Sequence, residues 1–398
     1  MSDTTAADSG AGIPNVTLDS TAMLNDACTQ TGLSNFGCES FRPALQCLVA
    51  SLNAQAELNP VGRFMQYQRI LNSLKNRLRM EAWINKYPEI LRESLAPPVV
   101  IVGLTRTGTT MLHRILASDE RFYAPLWYEV RNPAPYLDWE PDQPDQRIVE
   151  AREEVAALLA SNPEIAAIHP MDPTGADEEI LLLEHSFYSY VPNSFAHVPD
   201  YGQFVAEADN GPAYDYLKRQ LQFLQWQKKR RGESAQRWLL KAPHHLHFMS
   251  TLLQTFPDIQ VVSTHRDPLV SIPSTASLYY NLWLTGNPEA SKQVVAREVL
   301  DVFSRGTAHT LQTRATAEDQ FCDIHFENTV ARPNEVIEEI YAFIEMPLTS
   351  QALQAMGRHR DENKRSDRPA HAYTLEEYGY TEAEIRDRFA DYCARFIA

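Results

Sequence analysis

The stretch PPVVIVGLTRTGTTMLHRIL, residues 97–116, joins an apolar run to a turn rich in glycine and threonine and then to a helical pattern. The apolar run is short, β-branched and bounded by prolines, which is typical of a strand buried on both faces of a sheet. Gly103 and Gly108 are separated by four residues, as in loops that hold a phosphate between a strand and a helix. Backbone N–H groups in such a turn converge on one anion at the start of the helix, where the helix dipole favours negative charge. The stretch therefore predicts an anion-binding loop.

Three further segments resemble this first strand in composition, namely RWLLKA (237–242), IQVVSTHR (259–266) and the weaker QFCDIHFE (320–327). Helical patterns alternate with them at 108–118, 246–256, 268–284 and 333–345. This alternation predicts an α/β, P-loop-like three-layer fold with a central parallel sheet and crossover helices on both faces. Strands that end at Gly103, Lys241 and Arg266 should open into one crevice, within reach of a single nucleotide.

The rest of the chain is divided by composition. Residues 1–20 are small, polar and acidic and predict a flexible tail before a single domain at 21–398. Within that domain we expect N-terminal helices at 40–95, a nucleotide-binding core at 97–118 and 237–345, an aromatic-rich helical insertion at 119–236 on the substrate side, and a C-terminal lid at 350–398. The lid prediction rests on the basic run GRHRDENKRSDRP at 357–369, which we expect to fold over a nucleotide.

The charge of the chain narrows the classes of partner. A formal net charge of -16 over 398 residues repels polyanions, so we expect no binding to nucleic acid, and any anionic ligand must be held by a local cluster of cations. No apolar run is long enough to span a bilayer, and the first residues lack the pattern of a secretory signal. We therefore expect a cytoplasmic protein without a membrane span; the sequence does not indicate its oligomeric state.

The turn departs from a nucleotide triphosphatase loop in an informative way. Thr109 occupies the position of the lysine that reaches the terminal phosphates, and the positive charge is at Arg106 instead. The second strand ends in Lys241, where an acidic residue for magnesium would be sought. These departures disfavour ATP hydrolysis. A P-loop kinase or nucleotide hydrolase and a non-catalytic nucleotide-binding protein remain as alternatives.

Three segments together resemble the sulfotransferases that use 3'-phosphoadenosine 5'-phosphosulfate (PAPS). LTRTGTTML resembles their 5'-phosphosulfate loop, in the variant with arginine found in bacterial and tyrosylprotein sulfotransferases. VVSTHRDPLVSIPSTASL resembles their 3'-phosphate motif, in which an arginine at a strand end, here Arg266, is followed eight residues later by a serine, here Ser274. LLKAPHHLHF resembles the Lys-x-Pro segment that places a lysine, here Lys241, beside the transferred sulfuryl group.

The resemblance implies PAPS as donor, 3',5'-ADP as product and no metal. It implies that the donor is bound by Arg106, Thr107, Gly108, Thr109, Thr110, Arg266 and Ser274. Arg106 and Lys241 would also be catalytic, because sulfuryl transfer builds charge on the leaving oxygen and cations aimed at that oxygen stabilise it. The aromatic insertion favours a small acceptor, apolar or ring-bearing, with a hydroxyl or amine that is sulfated.

Two groups compete for the role of general base. In similar branches of the family the base is often a glutamate after the first helix, and Glu129 lies there, whereas His244 or His245 follows Lys241 as the histidine base does in the cytosolic branch. We favour Glu129, because the cytosolic pattern has one residue between lysine and histidine and here two residues precede His244. His245 is kept as the second catalytic candidate.

Two other clusters receive structural interpretations. His244, His245 and His247 suggest a metal, but they lack a fourth ligand and a suitable spacing, so we expect no metal site. Asp177, Glu178, Glu179 and Glu184 are interpreted as the acidic first turn of a helix.

Overall fold

A computed structural model of the chain describes residues 14–161, 171–363 and 373–397. At its centre lies a five-stranded parallel sheet in the order β2-β3-β1-β4-β5. The strands are β1 Val99–Gly103, β2 Phe122–Tyr123, β3 Arg237–Lys241, β4 Gln260–His265 and β5 Phe321–His325. The predicted α/β fold with a central parallel sheet is confirmed.

Helices precede, cover and follow the sheet. Ten of the described helices lie N-terminal to β3, namely α1 Ser20–Thr31, α2 Arg42–Ala54, α3 Pro60–Lys86, α4 Thr109–Leu116, α5 Trp127–Arg131, α6 Gln146–Ser161, α7 Ile180–Glu184, α8 Val191–Phe195, α9 Pro199–Glu207 and α10 Gly211–Arg230. Those after it are α11 Met249–Thr255, α12 Pro268–Gly286, α13 Lys292–Arg314, α14 Phe326–Ala331, α15 Pro333–Phe343, α16 Ser350–Glu362, α17 Glu382–Arg388 and α18 Ala390–Phe396. Within the described parts of the chain, none of these helices has the length and apolarity needed to cross a membrane.

Alternate residues of β1 pack into different cores. Val100 and Val102 join the cluster that also contains the N-terminal helices, whereas Val99 and Ile101 join the cluster on the opposite face. This alternation follows from the two-residue period of a strand, and it explains why the whole strand is apolar and fully buried. The sheet is thus the middle of three layers.

The register of the sheet aligns the strand ends that the sequence singled out. Ile101 lies opposite Lys241 of β3, and Gly103 lies opposite Thr264 of β4. A Cβ atom at Gly103 would be 2.6 Å from the carbonyl oxygen of Thr264 and 2.9 Å from the hydroxyl of Thr107. Glycine is therefore required here, because the loop turns back tightly against the neighbouring strand.

The insertion starts and ends at one edge of the sheet. Phe122 of β2 pairs with Arg237 of β3, and the backbone N–H of Gln236 donates to the carbonyl of Arg121 at 2.8 Å. β2 is absent from the sequence prediction, because a strand of two residues has no detectable alternation.

Two other differences concern helices. α13 is absent from the sequence prediction, because small and polar residues such as Gly306, Thr307 and Thr310 occupy part of its buried face. The predicted tail at 1–20 is wrong at its end, because Leu18 is only 3% exposed and Asp19 caps α1. Residues 1–13 lie outside the described part of the chain.

Candidate active site

The loop after β1 is held in shape by its own threonines. The Thr107 hydroxyl donates to the carbonyl of Leu104 at 2.7 Å and lies 2.7 Å from the Thr264 hydroxyl. Arg106 and Gly108 both have a positive φ, at 70° and 83°. Gly108 precedes α4 and has no side chain to cap it, so the first N–H groups of this helix lie at the turn where an anion can bind.

The second arginine lies directly beside this loop. Arg266 follows β4, and its Nη1 donates to the carbonyl of Arg106 at 2.9 Å. The Nε of Arg106 in turn donates to the hydroxyl of Ser274 on α12 at 3.2 Å. The structure therefore brings Arg106, Arg266 and Ser274 together, as the two motifs predict.

Arg266 has two further neighbours that the sequence analysis missed. Its guanidinium carbon lies 4.0 Å from the ring centroid of Phe326, the first residue of α14. Its backbone N–H donates to the hydroxyl of Tyr392 on α18 at 3.3 Å. Both are aromatic residues far along the chain, so only the fold places them next to this strand end.

The C-terminal segment is attached to the same motif. Arg386 on α17 forms a two-pronged ion pair with Asp267, at 3.0 and 2.8 Å. Arg360, at the end of α16, donates instead to Asn334 at 2.9 Å. The part of the predicted lid that contains Lys364, Arg365 and Arg368 lies outside the described residues.

Lys241 ends β3 beside the first turn of α4. Its side chain is 1% exposed, and its Nζ lies 3.1 Å from the hydroxyl of Thr110 and forms an ion pair with Glu178. Its backbone N–H donates to the carboxylate of Glu179 at 2.6 Å. The lysine is therefore fixed from both ends by adjacent carboxylates of the insertion.

Behind Lys241 lies a fully buried chain of hydrogen bonds. Glu179 accepts from Nε2 of His245 at 2.7 Å, and Nδ1 of His245 lies 2.8 Å from the hydroxyl of Tyr214. Burial raises the pKa of Glu179, but the hydrogen bond and charge of His245 and the amide of Lys241 outweigh it, so the pKa lies below its usual value. Both ring nitrogens of His245 are therefore engaged by Glu179 and Tyr214, and its direct role in catalysis stays a prediction.

His244 differs from its neighbour. Among the described residues neither of its ring nitrogens has a hydrogen-bond partner, and its ring packs beside those of Tyr190 and Phe248, with centroids at 5.6 and 4.8 Å. Burial and the nearby His245 lower the pKa of His244 well below 6.5, so its imidazole is neutral. A neutral imidazole is able to accept a proton, but at 2% exposure it has little access to a substrate.

Glu129 lies in a different cluster from Lys241. On α5, its carboxylate forms an ion pair with Lys228 at 2.9 Å and accepts from the backbone N–H of Leu126 at 3.0 Å, and its side chain is 1% exposed. Arg231 lies 3.8 Å from the same carboxylate. The carboxylate of Glu129 is therefore buried and paired within the protein, and its predicted role as the general base stays a prediction.

The carboxylates at the site belong to the run that we interpret as an acidic first helical turn. That interpretation is wrong, because α7 begins only at Ile180 and the two preceding glutamates are engaged by Lys241 and His245. The sequence feature that pointed to this site was the pair of adjacent carboxylates Glu178 and Glu179 before an apolar run. The start of a helix produces the same pattern. Across 14–161, 171–363 and 373–397, no group of three or more His, Cys, Asp or Glu is placed to hold a metal ion.

Comparison with known proteins gives matches at three levels. The family model described as "Sulfotransferase family" matches residues 97–350. The crystal structures of the sulfotransferases STF1 from Mycobacterium tuberculosis and STF9 from Mycobacterium avium superpose with TM-scores of 0.81 and 0.85 at 27% and 26% identity, covering 95% and 96% of this chain and 100% and 97% of theirs. The curated protein Stf3 of Mycobacterium tuberculosis, an omega-hydroxy-beta-dihydromenaquinone-9 sulfotransferase, is 30% identical over 190 residues, which are 47% of this chain and 46% of Stf3. The match thus spans about half the length of this curated relative.

Proposed function

Since the chain belongs to the sulfotransferase family, we propose that it transfers a sulfuryl group from PAPS to a hydroxyl or amine of a small acceptor. One observation carries the proposal. Arg106, Arg266 and Ser274 form one hydrogen-bonded group at the carboxyl ends of β1 and β4, and the Thr110 hydroxyl beside Lys241 lies in the helix that starts there. A crevice of this kind at the strand ends of an open parallel sheet is where such folds bind nucleotides.

The two ends of the donor require different cations. The 5'-phosphosulfate would lie on the loop from Arg106 to Thr110, where helix N–H groups, threonine hydroxyls and the Arg106 side chain are available. The 3'-phosphate would be bound by Arg266 and Ser274. A guanidinium suits this task, because its planar fork of N–H donors matches two phosphate oxygens at once.

The transfer itself needs stabilisation of the leaving oxygen. The acceptor oxygen bonds to sulfur while the bond from sulfur to the bridging phosphate oxygen breaks, and 3',5'-ADP leaves with the negative charge. Lys241, held against Thr110 at 3.1 Å, would donate to that oxygen. Donors fixed before the reaction contribute most, because they need no reorganisation in the transition state.

We assign the general base to Glu178 rather than to Glu129 or a histidine. In support, its side chain is 19% exposed while its carboxylate pairs with Lys241, so it would lie at the proposed transfer point and remain open to an acceptor. Glu179, the adjacent residue, is buried and hydrogen-bonded, which fixes the backbone that presents Glu178. The proton of the acceptor hydroxyl would pass to Glu178 as its oxygen attacks sulfur.

An apolar, ring-bearing acceptor fits the surroundings of this carboxylate. Burial and the nearby Glu178 raise the pKa of Tyr279, and the Tyr279 ring belongs to a contiguous aromatic group with Phe303, His247 and Tyr190 at centroid distances of 6.4, 6.0 and 4.7 Å in that order. In support, Stf3 is named for a dihydromenaquinone acceptor that carries a hydroxyl group. We propose a neutral alcohol or phenol of this class.

The donor assignment is tested by ligand-induced stabilisation. We expect 3',5'-ADP to raise the melting temperature much more than 5'-AMP or ATP with magnesium, because only 3',5'-ADP satisfies both the loop and Arg266. At a concentration 100 times Kd the gain should be about 2.7 kcal/mol. Stabilisation by ATP with magnesium and none by 3',5'-ADP would support a kinase or nucleotide hydrolase instead.

A matched pair of arginine variants locates the effect. Arg266→Ala should remove most of the difference between 3',5'-ADP and 5'-AMP, because it removes the fork proposed for the 3'-phosphate. Arg332→Ala, at an exposed arginine whose ion pair is with Glu335 on the surface, should leave that difference intact. Sulfated product from PAPS and a panel of phenols and alcohols, detected by mass spectrometry, then tests turnover directly.

A further inference from the structure

Phe326 lies between the two donor motifs. It follows β5 directly, so the parallel sheet brings it to the same edge as the loop after β1 and the end of β4. One side of its ring lies under Arg266, with 4.0 Å from the guanidinium carbon to the ring centroid. The ring also contacts the loop, since a Cβ atom at Gly108 would be 2.8 Å from its Cδ2 atom. The ring thus touches both motifs without being part of either.

The ring and the loop hold the guanidinium through different contacts. A guanidinium over an aromatic ring is attracted by the negative face of the ring. One N–H donor of Arg266 bonds to the carbonyl of Arg106 at 2.9 Å. The backbone of Arg266 is held separately, by the hydroxyl of Tyr392 at 3.3 Å. The position of the guanidinium is therefore set jointly by Phe326 and by the carbonyl of Arg106.

We propose that Phe326 is a positioning residue for recognition of the 3'-phosphate: it holds the guanidinium of Arg266 in the orientation that binds phosphate and connects that orientation to the phosphosulfate loop at Gly108. The inference rests on the proposed function, because it presumes that Arg266 binds the 3'-phosphate. A long arginine side chain loses much rotamer freedom on binding, and a ring that orders it beforehand reduces this cost. Phe326 would thereby contribute to the choice of nucleotide without contacting the phosphate.

The test compares two nucleotides that differ only in the 3'-phosphate. The discrimination ratio, Kd for 5'-AMP divided by Kd for 3',5'-ADP, is measured by titration calorimetry for the parent and for variants of the full chain. Phe326→Leu should lower this ratio about 10-fold, a typical effect for a cation–π contact partly shielded from water. Its affinity for 5'-AMP should change little, which also shows that the variant is folded. Phe326→Tyr keeps the ring face and should restore the ratio to within about 2-fold of the parent.

Phe321→Leu is the matched control. Phe321 is the first residue of β5, the strand that Phe326 follows, and its ring lies under a different arginine, Arg314, at 4.6 Å from the guanidinium carbon. Its loss should lower the melting temperature but leave the discrimination ratio unchanged. The same drop in ratio for Phe321→Leu as for Phe326→Leu would make the effect a general loosening and overturn the proposal.

Other outcomes separate this inference from the proposed function. If Phe326→Leu weakens both nucleotides equally, the ring serves the base or ribose, and the inference is overturned while PAPS remains the donor. If the ratio does not change at all, Arg266 needs no ring to orient it, and the inference is again overturned. If the parent itself does not distinguish the two nucleotides, the proposed donor is wrong and the inference loses its premise.

Discussion

Two carboxylate–lysine pairs lie in the insertion and at its borders, and they differ in access to solvent. Glu129 and Lys228 have side chains 1% and 3% exposed, whereas Glu178 is 19% exposed above a Lys241 that is 1% exposed. Both pairs unite residues distant in the chain. Only the second combines a fixed lysine with a carboxylate that an incoming molecule can reach.

The difference explains why we propose a structural role for the first ion pair and a reactive role for the second. The carboxylate of Glu129 is enclosed by further donors, namely the N–H of Leu126, the hydroxyl of Tyr128 and the guanidinium of Arg231. Such saturation compensates the cost of burying a charge, and it also removes the lone pairs that a base needs. Next to Glu178, the adjacent Glu179 accepts the buried hydrogen bonds from the backbone of Lys241 and from His245. Glu178 therefore does not have to accept these bonds itself.

The strongest test of this difference is to remove the charge of the Glu178 carboxylate, the proposed base. Glu178→Gln should lower the turnover number about 10³-fold, because a positioned base contributes on that order, while affinity for 3',5'-ADP stays near that of the parent. Steady-state kinetics with PAPS and a phenolic acceptor, together with calorimetric titration of 3',5'-ADP, measure both. Near-normal turnover in this variant would transfer the role of base elsewhere.

The same change in the structural pair should affect stability instead. Glu129→Gln removes the closer of the two carboxylates that pair with the buried Lys228 and leaves Glu233 at 3.7 Å. The free energy of unfolding should therefore fall by about 3 kcal/mol, toward the lower end for a broken buried pair. Turnover of the folded fraction, assayed well below the melting temperature, should remain within about 3-fold of the parent. Denaturant melts give the first quantity. A large loss of turnover with unchanged stability would restore Glu129 as the base.

A third test concerns His245, which lies behind the pair of Glu178 and Lys241. His245→Phe should lower turnover about 10-fold, since it removes one of the two donors to Glu179, leaves that of Lys241, and loosens the backbone that carries Glu178. His245→Gln places an N–H donor near the position of Nε2 and should recover most of that loss. Equal loss in both variants would instead assign a proton transfer to the imidazole. The turnover number and the KM for the acceptor, measured side by side, separate the two.

The smallest expected effect is the pH dependence of stability at Asp145, whose partner Arg231 also lies beside Glu129. Burial raises the pKa of Asp145, but the hydrogen bonds and charges of Arg147 and Arg231 lower it by more, so the net pKa lies below its ordinary 3.8. A carboxyl group whose folded pKa is depressed contributes stability above its unfolded pKa and loses it as pH falls toward the folded value. Asp145→Asn should therefore be less stable than the parent at pH 6, and its melting temperature should fall less steeply below about pH 4. Parallel slopes for the two proteins would contradict this.

Local pattern was sufficient for most of the sheet and for the shape of the loop after β1. β1 and β4 are rich in apolar or β-branched residues, and Gly103 and Arg266 lie at their ends, so both motifs could be identified from spacing alone. Phosphate binding by strand–turn–helix units is local chemistry, since one turn and one helix start supply most of the donors. That is why Arg106 and Arg266 were placed correctly relative to one another.

The proposed general base, Glu178, could not be found from local sequence pattern. Its assignment depends on which carboxylate pairs with which lysine in the folded chain. Glu129 meets Lys228, and Glu178 meets Lys241 across the insertion. Neither pairing leaves a trace in periodicity or composition. The same holds for Phe326, whose contact with Arg266 arises only because β4 and β5 are neighbours in the sheet.

The closure of the insertion on one edge of the sheet has a consequence for how such enzymes diverge. Since the backbone of Gln236 bonds to that of Arg121, the chain leaves and re-enters the sheet at a single point. Loop closure itself adds little cost when a segment between these points changes in length, because that cost grows only with the logarithm of length. An exchanged segment must still fill the main core, to which Leu182 and Tyr214 of the insertion belong. The exchanged segment would bring its own Glu178 and Glu179, whereas Lys241 stays with the recipient. Chimeras between relatives should therefore inherit acceptor preference and the proton acceptor as one unit, and donor preference as another.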